Sequence, residues 1–122
     1  MTDRTGTAHL EARLEAFFYR RVRLLGGQCI KLAPTERGIP DRLVMLPGGR
    51  KYLVELKAEG GSLSPIQIAW HGRMKALGHD VIVLEGRDEI IQWLRRTTEQ
   101  WDLLQKEKSR RVATRTRKGR AS

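Results

Sequence analysis

The sequence predicts an α/β fold of order αβββαβα, a mixed sheet flanked by helices, and three local patterns carry that prediction. Apolar residues recur at helical spacing near the start, two strand-like runs meet at Pro47-Gly48-Gly49-Arg50, and a capped helix leads into the wholly apolar run Val81-Ile82-Val83-Leu84.

Leu10, Leu14, Phe17, Phe18, Val22 and Leu25 fall on one helical period, so a first helix is expected over 9–25, stopped by Gly26-Gly27. Residues 28–32 form a short apolar strand, followed by an irregular loop through Pro34 to Gly38. Two further strands, 41–46 and 51–57, flank Pro47-Gly48-Gly49-Arg50, a strong hairpin signal. A Gly-rich loop over 58–63 ends at Ser64-Pro65-Ile66-Gln67. Serine as N-cap, proline at the first helical position and glutamine at the third make a capping box, opening a helix over about 65–77 that Gly78 ends. The apolar run after it suits a parallel strand covered on both faces. A last helix begins near Arg87, carries Ile90, Ile91, Leu94, Trp101 and Leu104 on one side, and has Thr97-Thr98 as a point of interruption.

A length of 122 residues fits one compact domain, expected over 7–105, and leaves room only for a basic tail over 106–122. The single cysteine, Cys29, excludes an internal disulfide framework and a Cys-rich zinc site. No apolar run approaches membrane-spanning length, and the polar start Met1-Thr2-Asp3-Arg4-Thr5 lacks the apolar core of a signal peptide. The expectation is a soluble, cytoplasmic protein with no membrane partner. The net charge of +10, from 24 basic and 14 acidic residues, points to a polyanion. Residues 106–120 hold eight basic residues and one acidic one, so the tail supplies most of that excess. Too poor in apolar residues to fold alone, it reads as a flexible or helix-extending arm. In it Lys106, Lys108, Arg110, Arg111, Arg115, Arg117 and Lys118 would hold phosphates without reading sequence.

The chemistry concentrates in Gly38-Ile39-Pro40-Asp41 and Glu55-Leu56-Lys57. Strand alternation puts Glu55 and Lys57 on one face, and two charges ending an apolar strand are either at the solvent edge or chemically engaged. Asp41 starts the neighbouring strand. A two-residue Gly48-Gly49 turn would set Asp41 opposite Leu56, on the wrong face. An odd-length loop or one bulge sets it opposite Glu55 or Lys57. Joined in that way, Asp41 and Glu55 offer hard oxygen ligands for Mg²⁺ or Mn²⁺, with Lys57 able to orient water or stabilise developing charge on a phosphate.

Those two motifs, together with Leu14-Glu15, Leu25-Gly26-Gly27, Leu46-Pro47-Gly48-Gly49-Arg50 and Ser64-Pro65-Ile66-Gln67, resemble the VRR-NUC (virus-type replication-repair nuclease) family of the PD-(D/E)xK superfamily, over roughly residues 10–84. The resemblance implies a restriction-endonuclease-like core. It implies metal ligation by Asp41, Glu55 and the backbone carbonyl of Leu56, and Lys57 as catalytic lysine. It also implies a helix-one glutamate reaching the site directly or through water. Glu11 and Glu15 share a helical face, and the family's spacing favours Glu15. Gln67 matches the family's glutamine near the scissile phosphate, although a capping box would use the same side chain. Implied further are a prokaryotic or viral origin, a role in DNA replication or repair, products bearing 5′-phosphate and 3′-hydroxyl, and a homodimer acting on branched DNA in the manner of Holliday-junction resolvases, with no small-molecule substrate.

Lys31, Arg37 and Arg42 flank the expected site and are read as phosphate contacts. His71, one turn after Gln67, and the tryptophans Trp70, Trp93 and Trp101 read as packing or surface residues, with no ligand spacing among the three histidines. No helix-turn-helix or zinc-finger pattern is present, which fits recognition of shape over base sequence. Two other readings accommodate the same residues: a non-catalytic nucleic-acid-binding subunit, and a nuclease of this fold acting on flap or linear DNA.

Overall fold

The computed structural model describes the backbone of residues 4–120 and the side chains of 9–117. The elements follow the expected order: α1 (Arg4–Leu24), β1 (Gln28–Lys31), β2 (Arg42–Leu46), β3 (Arg50–Lys57), α2 (Pro65–Ala76), β4 (Val81–Glu85) and α3 (Gly86–Arg120). The sheet order is β1-β2-β3-β4, antiparallel except for the parallel β3–β4 pair. Among the described residues no helix is long and apolar enough to cross a membrane.

One face of the sheet carries the core. Val44 and Leu46 of β2 and Val54 of β3 point at Phe18 and Val22 of α1 and at Ile90, Trp93 and Leu94 of α3, all buried. Trp93 ties the layers together, edge-on to Tyr52 at 5.1 Å between ring centroids and tilted against Phe18 at 6.2 Å. The other face, bearing Leu53, Glu55 and Lys57, is where α2 lies. Here β4 departs from expectation: it is the sheet's edge strand, with Val81 and Leu84 buried but Ile82 and Val83 only half covered. Its apolar run marked a parallel strand, not complete burial.

The β2–β3 hairpin closes through three residues, Pro47, Gly48 and Gly49, with Leu46 facing Arg50 and Arg42 facing Val54. Both glycines have positive φ, 87° and 73°. At Gly48 a Cβ would collide with the Trp101 ring, whereas at Gly49 it would meet nothing. Arg50 clamps this turn to α3: its Nε donates to the Pro47 carbonyl (3.0 Å), its guanidinium donates to the Thr97 carbonyl (2.7 Å), and its charge lies 4.9 Å from the Trp101 ring centroid.

Thr97 and Thr98 do not interrupt α3. Both hydroxyls donate back to the Leu94 carbonyl, at 2.9 and 2.8 Å, so they are satisfied inside the helix. The helix then continues through the basic segment to Arg120.

Gly48→Ala is expected to lower the unfolding free energy by about 2 kcal/mol or more, combining left-handed backbone strain with displacement of Trp101. Gly49→Ala carries the backbone cost alone, roughly 1 kcal/mol. Chemical denaturation of the two variants checks this, and equal losses would count against the Trp101 contact.

Candidate active site

The odd-length turn fixes the register that the site needs. With Arg42 opposite Val54, the register continued one residue outward from β2 brings Asp41 level with Glu55. The β2 ladder stops at that point, and Glu55 to Lys57 continue paired only to β4. The loop before Asp41 is held against α2: Gly38 has φ 91°, and a Cβ there would strike the backbone of Ile66. Only glycine lets the Ile39-Pro40-Asp41 segment run that close.

Glu55 is 8 % exposed. Its Oε1 accepts a 2.5 Å hydrogen bond from Gln67 Nε2 and lies 3.8 Å from Lys57 Nζ. Its Oε2 is buried without any hydrogen-bond partner. Burial raises the pKa of this carboxyl, and the negative charge of Asp41 beside it raises it further, while Lys57 pulls the other way. A bare, buried carboxylate oxygen next to a second carboxylate is costly unless a cation joins them. The pair therefore suits a divalent ion with oxygen ligands; Mg²⁺ in particular is often held by one or two carboxylates, the rest of its shell being water and phosphate. Among the described residues no cluster of three or more acidic, His or Cys side chains adds a third such ligand.

Gln67 serves both readings of its position. Its Oε1 accepts from the Ser64 N–H (2.9 Å) while its own N–H donates to Ser64 Oγ (3.3 Å), completing the capping box, and its Nε2 is thereby turned towards Glu55. The cap aims the amide into the site.

Glu15 is placed elsewhere. It pairs with Arg42 at 2.7 Å and with Lys31 at 3.8 Å. Strand alternation explains why: Arg42 follows Asp41 and points to the opposite face of the sheet, that of Val44 and Val54, where α1 packs. Arg42 is 5 % exposed, so the expected phosphate contact from it is corrected to a buried partner of Glu15. Alternation with Val44 and Leu46 already marked Arg42 as inward, and Glu15 is in phase with Phe18 and Val22. Lys31 and Arg37 remain on the surface. Lys106, Lys108, Arg110, Arg111, Arg115 and Arg117 are all exposed on the far part of α3, and Lys118 lies outside the described side chains.

Pattern reading gave His71 no role. It is 4 % exposed, one turn beyond Gln67, with neither ring nitrogen hydrogen-bonded. Burial, with the charges of Lys75 and Lys57, lowers its pKa. Its spacing from Gln67 was the available signal.

Two stability outcomes follow from this geometry. Because the Glu55 pKa is raised in the folded state, its contribution is fully present below the ordinary glutamate range and is lost as pH rises through the raised value. In EDTA, Glu55→Gln should match the wild type near pH 4 and become relatively more stable towards pH 8, read from denaturation midpoints; a pH-independent difference would contradict the assignment. Glu15→Ala strands the Arg42 charge and should cost about 2 kcal/mol, reduced from the fully buried case by the partial exposure of Glu15. Adding Arg42→Leu should recover most of that loss.

No family model matches the chain. It is 46% identical over 79 residues to "Putative nuclease p44" of Acyrthosiphon pisum secondary endosymbiont phage 1, covering 64% of this chain and 85% of that protein. A solved structure described as a VRR_NUC domain is similar with a TM-score of 0.66 and 31% sequence identity, over 70% of this chain and 94% of that one.

Proposed function

The chain belongs to the VRR-NUC nuclease family, and on that premise we propose that it hydrolyses phosphodiester bonds of DNA with a divalent cation at Asp41 and Glu55. The observation that carries the reading is the unpartnered, buried Glu55 Oε2 beside Asp41, with Lys57 and Gln67 already converging on the other oxygen of the same carboxylate.

Asp41, Glu55 and the Leu56 carbonyl would hold Mg²⁺, with Mn²⁺ able to substitute. When bound, such a cation supplies positive charge against the phosphate and makes water more acidic. Lys57, tethered by Glu55 at 3.8 Å, brings an ammonium to the edge of the carboxylate pair, where it can orient the attacking water or offset charge on the phosphate. Gln67 keeps Glu55 in one rotamer through its cap-directed amide and presents an amide close to where the phosphate must sit. Glu15 acts here through Arg42, bracing β2 one residue from Asp41. Lys31 and Arg37, both exposed, are the near-site candidates for phosphate contact.

Within DNA, a branched substrate is the preferred class, cut by a homodimer whose two sites relate by a two-fold axis as the arms of a four-way junction do. The family resemblance supports this, as does the lack of any sequence-reading motif.

The test is incubation with labelled four-way, flap, linear duplex and single-stranded DNA in Mg²⁺, Mn²⁺ or EDTA, for the wild type and Lys57→Ala. The four-way junction should be cut fastest, EDTA should abolish cutting, and Lys57→Ala should lose about a hundredfold or more in rate. Cutting that persists in EDTA or in the variant would overturn the mechanism. Binding without cutting in every metal would favour a non-catalytic binding subunit.

A further inference from the structure

Over the far half of α3 the described side chains lack a packing partner in the fold: every one from Asp102 to Arg117 is exposed. Its place in the molecule is fixed at two points. Gly86 follows Glu85, which is level with Lys57 at the carboxylate end of the sheet, and Trp101 stacks on Gly48 at the hairpin end. The helix therefore runs back along the strands and leaves the core at the opposite end from Asp41 and Glu55. Residues 102–120 add about 28 Å of helix beyond the hairpin. Since Arg50 to Glu55 already spans about 17 Å of strand, the charges of this arm lie on the order of 25 Å or more from the carboxylates.

Over residues 106–117 the arm's charges are also sorted around the helix. At 100° per residue, Lys106, Arg110 and Arg117 form one flank, and Lys108, Arg111 and Arg115 form another roughly 150° away. Ser109, Val112, Ala113 and Thr116 lie between the two flanks on one side, uncharged and short. The one acidic residue of that stretch, Glu107, lies with Thr114 on the other side, where it pairs with Arg111 at 2.7 Å. A helix is about 10–12 Å across and the major groove of B-form DNA about 12 Å wide, so a helix lying in it faces phosphates on both flanks. The deep, narrow major groove of A-form RNA does not admit one. The net positive charge opposes pairing of this arm with its copy in a second chain.

We infer that the α3 arm is a duplex-DNA-binding element that lies in the major groove with its Ser109–Thr116 face inward, about seven or more base pairs from the bond that is cut. The Arg50–Trp101 clamp at its root sets the direction in which it leaves the body. The inference takes DNA as the polyanion from the nuclease reading, but its geometry is tested without any cutting.

The measurement is fluorescence anisotropy of the full chain with labelled duplexes of about 40 base pairs, in EDTA, at several salt concentrations. Replacing Lys108, Arg111 and Arg115 with Gln should weaken DNA binding at least tenfold and flatten the log–log salt slope by about 0.9 for each phosphate that is no longer neutralised. It should leave weaker binding to duplex RNA of the same sequence unchanged. Ala113→Trp, on the inward face, should weaken DNA binding about as much, whereas Thr114→Trp on the outer face should not. Circular dichroism confirms that each variant keeps its helix. Equal effects of Ala113→Trp and Thr114→Trp would overturn the groove geometry. Equal weakening on DNA and RNA, or an arm that binds anionic vesicles in preference to DNA, would overturn the assignment of partner. An absence of nuclease activity in every chain with these binding results intact would instead count against the catalytic reading alone.

Discussion

The three-residue turn Pro47-Gly48-Gly49 is the constraint on which the rest of the molecule depends. Side chains on a strand alternate faces, so the parity of this loop decides whether Asp41 and Glu55 share a face or are separated by the sheet. With an odd loop they come level, and Arg42, one residue along, is sent to the opposite side to meet Glu15. The same turn is seated on Trp101 and clamped by Arg50, so the hairpin, the carboxylate pair and the direction of α3 are set together.

From that register the site is assembled by short-range means. The close pass of Gly38 over Ile66 brings the Asp41 loop against the start of α2, and the Ser64 cap turns Gln67 towards Glu55. The result is a carboxylate held by an amide and an ammonium on one oxygen and left bare on the other. Burial and the neighbouring Asp41 both oppose its ionisation, and a cation would relieve both penalties at once.

Much of this was legible from residue patterns. Helical spacing, the Pro-Gly-Gly hairpin and the capping box gave every element in order, and strand parity gave the condition on the turn. What was missed is long-range. The clamp joins residues far apart in sequence, Arg50 with Thr97 and Trp101, and nothing local announces it. The Thr97-Thr98 pair looked like a break because β-branched residues disfavour helix, but their hydroxyls bond within it. Arg42 was read as a phosphate contact because it flanks the site, although its alternation with Val44 and Leu46 placed it inside. The apolar run of β4 reported strand pairing with β3 and overstated burial, since no strand lies beyond it among the described residues.

We propose that Asp41 and Glu55, brought level by the hairpin, hold a divalent cation between them. Anomalous diffraction from crystals of the protein soaked in Mn²⁺ tests it most directly. A peak is expected within coordination distance, about 2.0–2.3 Å, of both carboxylates, and should disappear in Glu55→Gln. A peak confined to Glu15 or to the α3 arm, or none at this pair at millimolar Mn²⁺, would contradict it.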